Sequence, residues 1–165
     1  ATSRCWETRL QDFVTYIPNT VSYSTDFGMF RVKFYPSYVG IPTTAGEQWF
    51  FDTRSSQGKN GWYLVHKHNG ALEFGYVNDD GAEHYVQSAS VMQFPQTEIE
   101  VTCWYGDFGL RLDVNGNRVG RNTLPKPTTP DMLAVVRLGR DCSESKSMSG
   151  ELIAFKYEVV NDAVD

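Results

Sequence analysis

Glycoside cleavage needs two carboxylates flanking the scissile bond, about 5–5.5 Å apart for retention and wider for inversion. Glu98 and Glu100 stand two residues apart, so in an extended strand they share a face. Thr102 follows where a third acid would continue the row, Glu73 stands alone on its segment, and Glu151 and Glu158 are far apart in sequence. The general acid and nucleophile pair that hydrolysis requires is not evident. His66, His68 and His84 lie beside no Gly-x-Ser-x-Gly elbow and no reactive-cysteine signature. His66 and His68 share an alternation face and can pair on a metal, but no third ligand accompanies them, and hydrogen-bonded strand histidines account for them better. Asn78, Asp79 and Asp80 offer oxygen ligands for calcium and serve equally well as turn formers.

Saccharide recognition calls for an aromatic ring beside amide and carboxylate groups. Trp62 beside Asn60, Trp104 beside Asp107, and Tyr38 in a loop are the candidates by composition. Against this, Trp49, Trp62 and Trp104 fall inside alternating segments, where an indole more often fills a core or covers a sheet face. Cys5, Cys103 and Cys142 are too widely spaced for a zinc site and too few for a disulfide framework. They read as free thiols, with a Cys5–Cys142 bridge as the alternative.

These residues sit in a chain whose grammar is that of β-structure. Leu110 to Val119 alternates apolar and polar residues around Asn115-Gly116, the strongest short-range signal for a two-residue hairpin. Alternation recurs over Phe13 to Ile17, Phe30 to Tyr35, Gln48 to Asp52, Trp62 to Lys67, Leu72 to Val77 and His84 to Gln87. It continues over Ile99 to Tyr105, Leu110 to Val114, Asn117 to Gly120, Val135 to Leu138 and Leu152 to Val159. Aromatic residues make up 14% of the 165, which suits pleated, half-buried surfaces. Many short strands separated by turn signals predict an all-β antiparallel sandwich, built as one domain over residues 1–165. Period two places Phe30, Val32 and Phe34 on the core side, with Arg31 and Lys33 on a wet side where they can pair with Glu98 and Glu100.

A net charge of −5 argues against sequence-independent nucleic-acid binding, and no run approaches the roughly 18 apolar residues of a membrane-spanning helix. Residues 1–10 alternate poorly and read as an N-terminal arm, in which Arg4, Trp6 and Arg9 have the character of interface hot spots. Pro125, Lys126 and Pro127 lie in a proline-rich link that must cross an edge or end of the sandwich. Arm and link are the expected docking elements for a protein partner.

In order, the segments resemble the concanavalin A-like lectin and glucanase jelly roll in its laminin G-like version. Phe13-Val14-Thr15-Tyr16-Ile17-Pro18 looks like that family's opening strand, Phe30 to Pro36 like its second, and Gln48 to Asp52 like its third. Asn60-Gly61-Trp62-Tyr63-Leu64 is similar to its glycine-aromatic-hydrophobic strand start, and Leu110 to Val119 to its Asn-Gly hairpin. Val136-Arg137-Leu138-Gly139 with Gly150 to Phe155 is similar to its late strand pair. The resemblance covers most of residues 10 to 160. Its hydrolases carry an E-x-D-x-x-E strand, which this chain lacks; its galectin-type motif is also missing, and its calcium-dependent members use loop aspartates. The expectation is a non-catalytic surface module, foremost a decorating or stabilising protein on a virion capsid or tail, in contact with a protein partner and with copies of itself. The alternative is a lectin-like domain that binds host or cell-surface glycans, placed outside the cell; a glycoside hydrolase is the least favoured reading.

Overall fold

Phe30, Val32 and Phe34 are fully buried while Arg31 and Lys33 between them reach solvent, so the strand alternates as its sequence requires. The computed structural model describes residues 24, 26–42, 46–124 and 135–159, and the backbone of residues 6–8 and 14–16. Among these, twelve strands run in chain order: β1 (Trp6–Thr8), β2 (Val14–Tyr16), β3 (Gly28–Pro36), β4 (Gln48–Asp52), β5 (Gly61–His66), β6 (Leu72–Val77), β7 (Glu83–Gln87), β8 (Ile99–Gly106), β9 (Gly109–Val114), β10 (Asn117–Asn122), β11 (Val136–Leu138) and β12 (Gly150–Glu158). They form two six-stranded sheets, the first in the order β1-β12-β3-β8-β9-β10 and the second in the order β2-β11-β4-β5-β6-β7. Every strand pairing is antiparallel.

The β9–β10 hairpin turns at Asn115 and Gly116, with φ of 49° and 80°, the two positive values that a two-residue turn matching the strand twist demands. Proline at Pro36 ends β3. The inward faces of the two sheets supply the core. Phe30 stacks on Phe51 at 4.9 Å, and Trp62 lies parallel to Phe74 at 5.1 Å and stacks on Tyr105 of the opposite sheet at 4.3 Å. A bulge between Trp49 and Phe51 turns both Phe50 and Phe51 into the core, which leaves Trp49 and Asp52 on the outer side of β4.

The sheets meet along one side. Ala89 donates its N–H to the Val119 carbonyl at 2.8 Å, the Asn122 amide donates to the Tyr85 carbonyl at 2.7 Å, and a Cβ at Gly120 would lie 2.4 Å from the Gln87 carbonyl. Edge strands β7 and β10 thus satisfy part of each other's backbone rather than presenting open edges.

The poorly alternating N-terminus contains β1, whose Trp6, Glu7 and Thr8 oppose Leu152, Glu151 and Gly150 of β12. The backbone ladder of residues 6–8 is thus used inside the chain's own sheet. Arg4, Arg9, Pro125, Lys126 and Pro127 lie outside the described residues, as does the side chain of Trp6. Cys103 and Cys142 are free, buried thiols, so the Cys5–Cys142 bridge is not made; Cys5 is outside the described residues. The predicted polar rows do meet: Lys33 lies 3.3 Å from Glu98 and 3.8 Å from Glu100, and Arg31 lies 3.8 Å from Glu100, all partly exposed.

Candidate functional site

Antiparallel register on the outer face of the second sheet sets Arg137, Asp52, Tyr63, Gly75 and Tyr85 side by side on five successive strands. The next row holds Trp49, Val65, Glu73 and Gln87. This face therefore collects polar and aromatic groups that are scattered in the sequence. Gly75 matters here because it lacks a side chain: the Tyr63 ring leans across it, and a Cβ at that position would lie 2.6 Å from the Tyr63 hydroxyl and 2.9 Å from Cβ of Tyr85.

Two carboxylates are built into the face, and each is fully engaged. Glu73, 5% exposed, accepts from the Tyr63 hydroxyl at 2.9 Å through Oε1, and from the Lys67 ammonium at 3.2 Å and the Gln87 amide through Oε2. Asp52 is fully buried and grips the Arg54 guanidinium, which donates from Nε at 3.0 Å and from Nη2 at 2.7 Å; the Cys142 N–H adds a bond of 2.8 Å. The same guanidinium lies 5.0 Å from the Trp49 ring and 4.7 Å from the Tyr63 ring, so it caps both aromatic faces. Arg137 completes the row by donating from Nη1 to the Arg54 carbonyl at 2.9 Å.

The titration behaviour follows from this layout. Burial pushes the Tyr63 hydroxyl up, and the Glu73 charge pushes it further, so it stays protonated and donates. Burial alone lowers the Arg54 guanidinium, but the hydrogen bonds and charge of Asp52 outweigh it and hold the group above its ordinary value. Burial also raises the Cys142 thiol, with the Asp52 charge adding to the effect, which removes it as a reactive thiolate. Solvent reaches the face at its β7 rim, where the Tyr85 ring is 43% exposed and Gln87 and Glu83 are also exposed.

The sugar-platform candidates read from the sequence do not converge. Trp62 is wholly buried between Phe74 and Tyr105 and cannot stack on a ligand without opening the sandwich. The predicted ring next to Asn60 is thus a core residue, because β5 turns its even-numbered positions inward. Tyr38 is also buried, with its hydroxyl on Nδ1 of His66 at 2.9 Å. Asn60 is exposed with φ of 57° and donates to Asp79 at 3.0 Å. Trp104 lies half-buried on the outer face of the first sheet under Arg111, whose guanidinium is 5.6 Å from its ring, and Asp107 is exposed in the β8–β9 turn.

His66 and His68 do not share a face, since His66 is buried at the end of β5 while His68 lies in the following turn near Glu47. Asp79 and Asp80 act in turns, accepting from Asn60 and from the Ala82 N–H. Among the described residues no three His, Cys, Asp or Glu side chains gather as a metal site. The sequence gives Trp49 and Glu73 no site role and does not single out Arg54, which follows β4; Tyr63, Tyr85 and Gln87 are also missed. The signal for Tyr63, Glu73, Tyr85 and Gln87 was the outward half of the alternation in β5, β6 and β7, which becomes a cluster only once the register is known.

Two stacked antiparallel sheets in this order form a concanavalin A-like jelly-roll fold. The CBM40 domain of the Ruminococcus gnavus IT-sialidase, solved with alpha2,3-sialyllactose bound, matches with a TM-score of 0.63 at 12% identity over 83% of this chain and 78% of its own. The same domain with alpha2,6-sialyllactose matches at 0.59 with 13% identity, over 83% of this chain and 79% of its own. The native heptameric SAP-like pentraxin from Limulus polyphemus matches at 0.52 with 13% identity, over 93% of this chain and 80% of its own. No protein-family model matches the sequence. No curated protein matches it either.

Proposed function

We propose that the chain is a non-catalytic carbohydrate-binding domain that takes its ligand at the β6–β7 rim of the second sheet's outer face. The observation that carries this reading is Glu73, a nearly buried carboxylate oriented by Tyr63, Lys67 and Gln87, with the exposed Tyr85 ring one row away. Saccharides are held by rigid planar donors and acceptors beside an aromatic face, and Glu73 fixes the exposed Gln87 amide on the same side of β7 as the Tyr85 ring. The solved CBM40 domain with sialyllactose adds support from the fold. Decoration of a virion, the foremost expectation from sequence, draws no support from these solved structures, and glycan recognition, its alternative, draws it from the CBM40 domain.

Catalysis is not part of the proposal, because Asp52 and Glu73 each face a built-in cation and are saturated with donors. A glycan array with wild-type protein, followed by titration calorimetry on the hits with Tyr85→Ala and Gln87→Ala, tests the reading. Binding that falls roughly tenfold in Tyr85→Ala supports it, a drop in line with the loss of one aromatic contact. An array without hits, or affinities untouched by both substitutions, overturns it.

A further inference from the structure

We infer that the rim selects uncharged saccharides and rejects acidic ones, an inference that rests on the glycan reading of the same site. Recognition of a carboxylate, sulfate or phosphate depends on a cation free to form a fork or a close ion pair with it. Among the described residues of this face there are three cations, Arg54, Lys67 and Arg137, and each is already turned onto an internal acceptor. Arg54 is bound in two-pronged fashion to fully buried Asp52. Lys67 lies 3.2 Å from Glu73. Arg137 donates to the Arg54 carbonyl and has its Nε 3.7 Å from the Glu144 carboxylate.

Diverting Arg54 or Lys67 to an incoming anion would strand a carboxylate that the fold has desolvated. Pulling Arg54 away would leave Asp52 a buried, uncompensated charge, the more costly half of breaking such a pair. An anion at the rim would also face Glu83, exposed on β7, and Glu73 behind it. What the rim offers to solvent is the Tyr85 ring and the Gln87 amide, an aromatic surface and a neutral donor and acceptor. These groups fit a sugar ring with hydroxyls and no formal charge.

The pairing of Lys67 with Glu73 supplies the decisive variant. Glu73→Gln keeps the shape of the side chain, with its carbonyl oxygen accepting from the Tyr63 hydroxyl and the Gln87 amide turned over to accept from the new NH2, and removes the charge that holds the Lys67 ammonium. Matched pairs of oligosaccharides, each a neutral chain and the same chain carrying sialic acid or a uronate, are titrated into wild-type protein and Glu73→Gln. In the wild type the neutral member of each pair should bind at least about tenfold more tightly, which corresponds to roughly 1.4 kcal/mol. In Glu73→Gln the gap should close to within about threefold through gain of the acidic member, with a salt dependence that the neutral member lacks. Should Glu73→Gln fail to fold, Glu83→Gln in the same titration must narrow the gap by about twofold or more through gain of the acidic member, because the exposed Glu83 carboxylate faces any anion at the rim; a gap left unchanged overturns the inference. Tighter wild-type binding of the acidic members, lost on Tyr85→Ala, overturns the inference and leaves the glycan reading standing. Binding of no member overturns both.

Discussion

The Tyr63 hydroxyl reaches the Glu73 carboxylate, 2.9 Å away, because the residue that faces Tyr63 on β6 is Gly75. The ring crosses the space where any other residue would place a side chain. Orientation of the carboxylate therefore depends on an atom that is missing one strand away.

Gly75→Ala puts a methyl group 2.6 Å from that hydroxyl. Tyr63 must shift and release Glu73, which then stays paired with Lys67 and Gln87 alone. Overpacking of this kind costs about 1–3 kcal/mol. Urea denaturation should show that loss, and the affinity for any array hit should fall with it. An unchanged midpoint would mean that the ring has room to move.

His66 makes stability depend on pH. Its Nε2–H donates to the Met92 carbonyl at 2.9 Å and Nδ1 accepts from Tyr38, so the imidazole is neutral and fully buried. Burial lowers its pKa to about 4, against the pull of the backbone bonds to Met92 and Gly70. The unfolded chain titrates near 6.5, so between 6.5 and 4 it binds the proton that the native state refuses, and stability falls as pH drops through this window. The difference is worth roughly 3 kcal/mol. His66→Gln can keep both hydrogen bonds without titrating. Denaturation at pH 7, 5.5 and 4 should therefore show a steeper decline for the wild type than for the variant, and parallel curves would sink the assignment.

Gly116→Val tests the β9–β10 turn. No atom lies within 4 Å of a Cβ at this position, so the whole effect comes from forcing a β-branched residue to φ of 80°. A loss of about 1–3 kcal/mol in thermal or chemical unfolding is expected, with no change in the core signal from buried tryptophan. A midpoint equal to that of the wild type would be incompatible with this turn.

Strand existence and facing were legible because alternation reports burial directly. Phe30 to Tyr35, Leu110 to Val114 and the Asn115-Gly116 turn appear where their patterns predict them, and the ion pairs of Arg31 and Lys33 with Glu98 and Glu100 follow from facing alone. The candidate site was not legible, for a reason visible at Trp62 and Tyr63. These neighbours point to opposite sides of one strand, and composition favours the indole as a sugar platform while the fold buries it and turns the phenol outward. Only cross-strand register brings Tyr63 to Glu73 and Gln87, and register depends on turns and bulges such as the one between Trp49 and Phe51. β1 was missed because a three-residue ladder carries too few positions to show a period.

The contact between β7 and β10 gears the two layers of the sandwich mechanically. Tyr85 and Gln87, which form the rim, are also the residues whose carbonyls meet Asn122 and Gly120 of the other sheet. A bulkier residue at Gly120 would act as a wedge, prying β7 outward and tilting the rim from a position that no ligand touches. Selection on the ligand's behalf therefore extends to a glycine on the far layer, and drift in β10 is constrained by a surface to which it contributes no side chain.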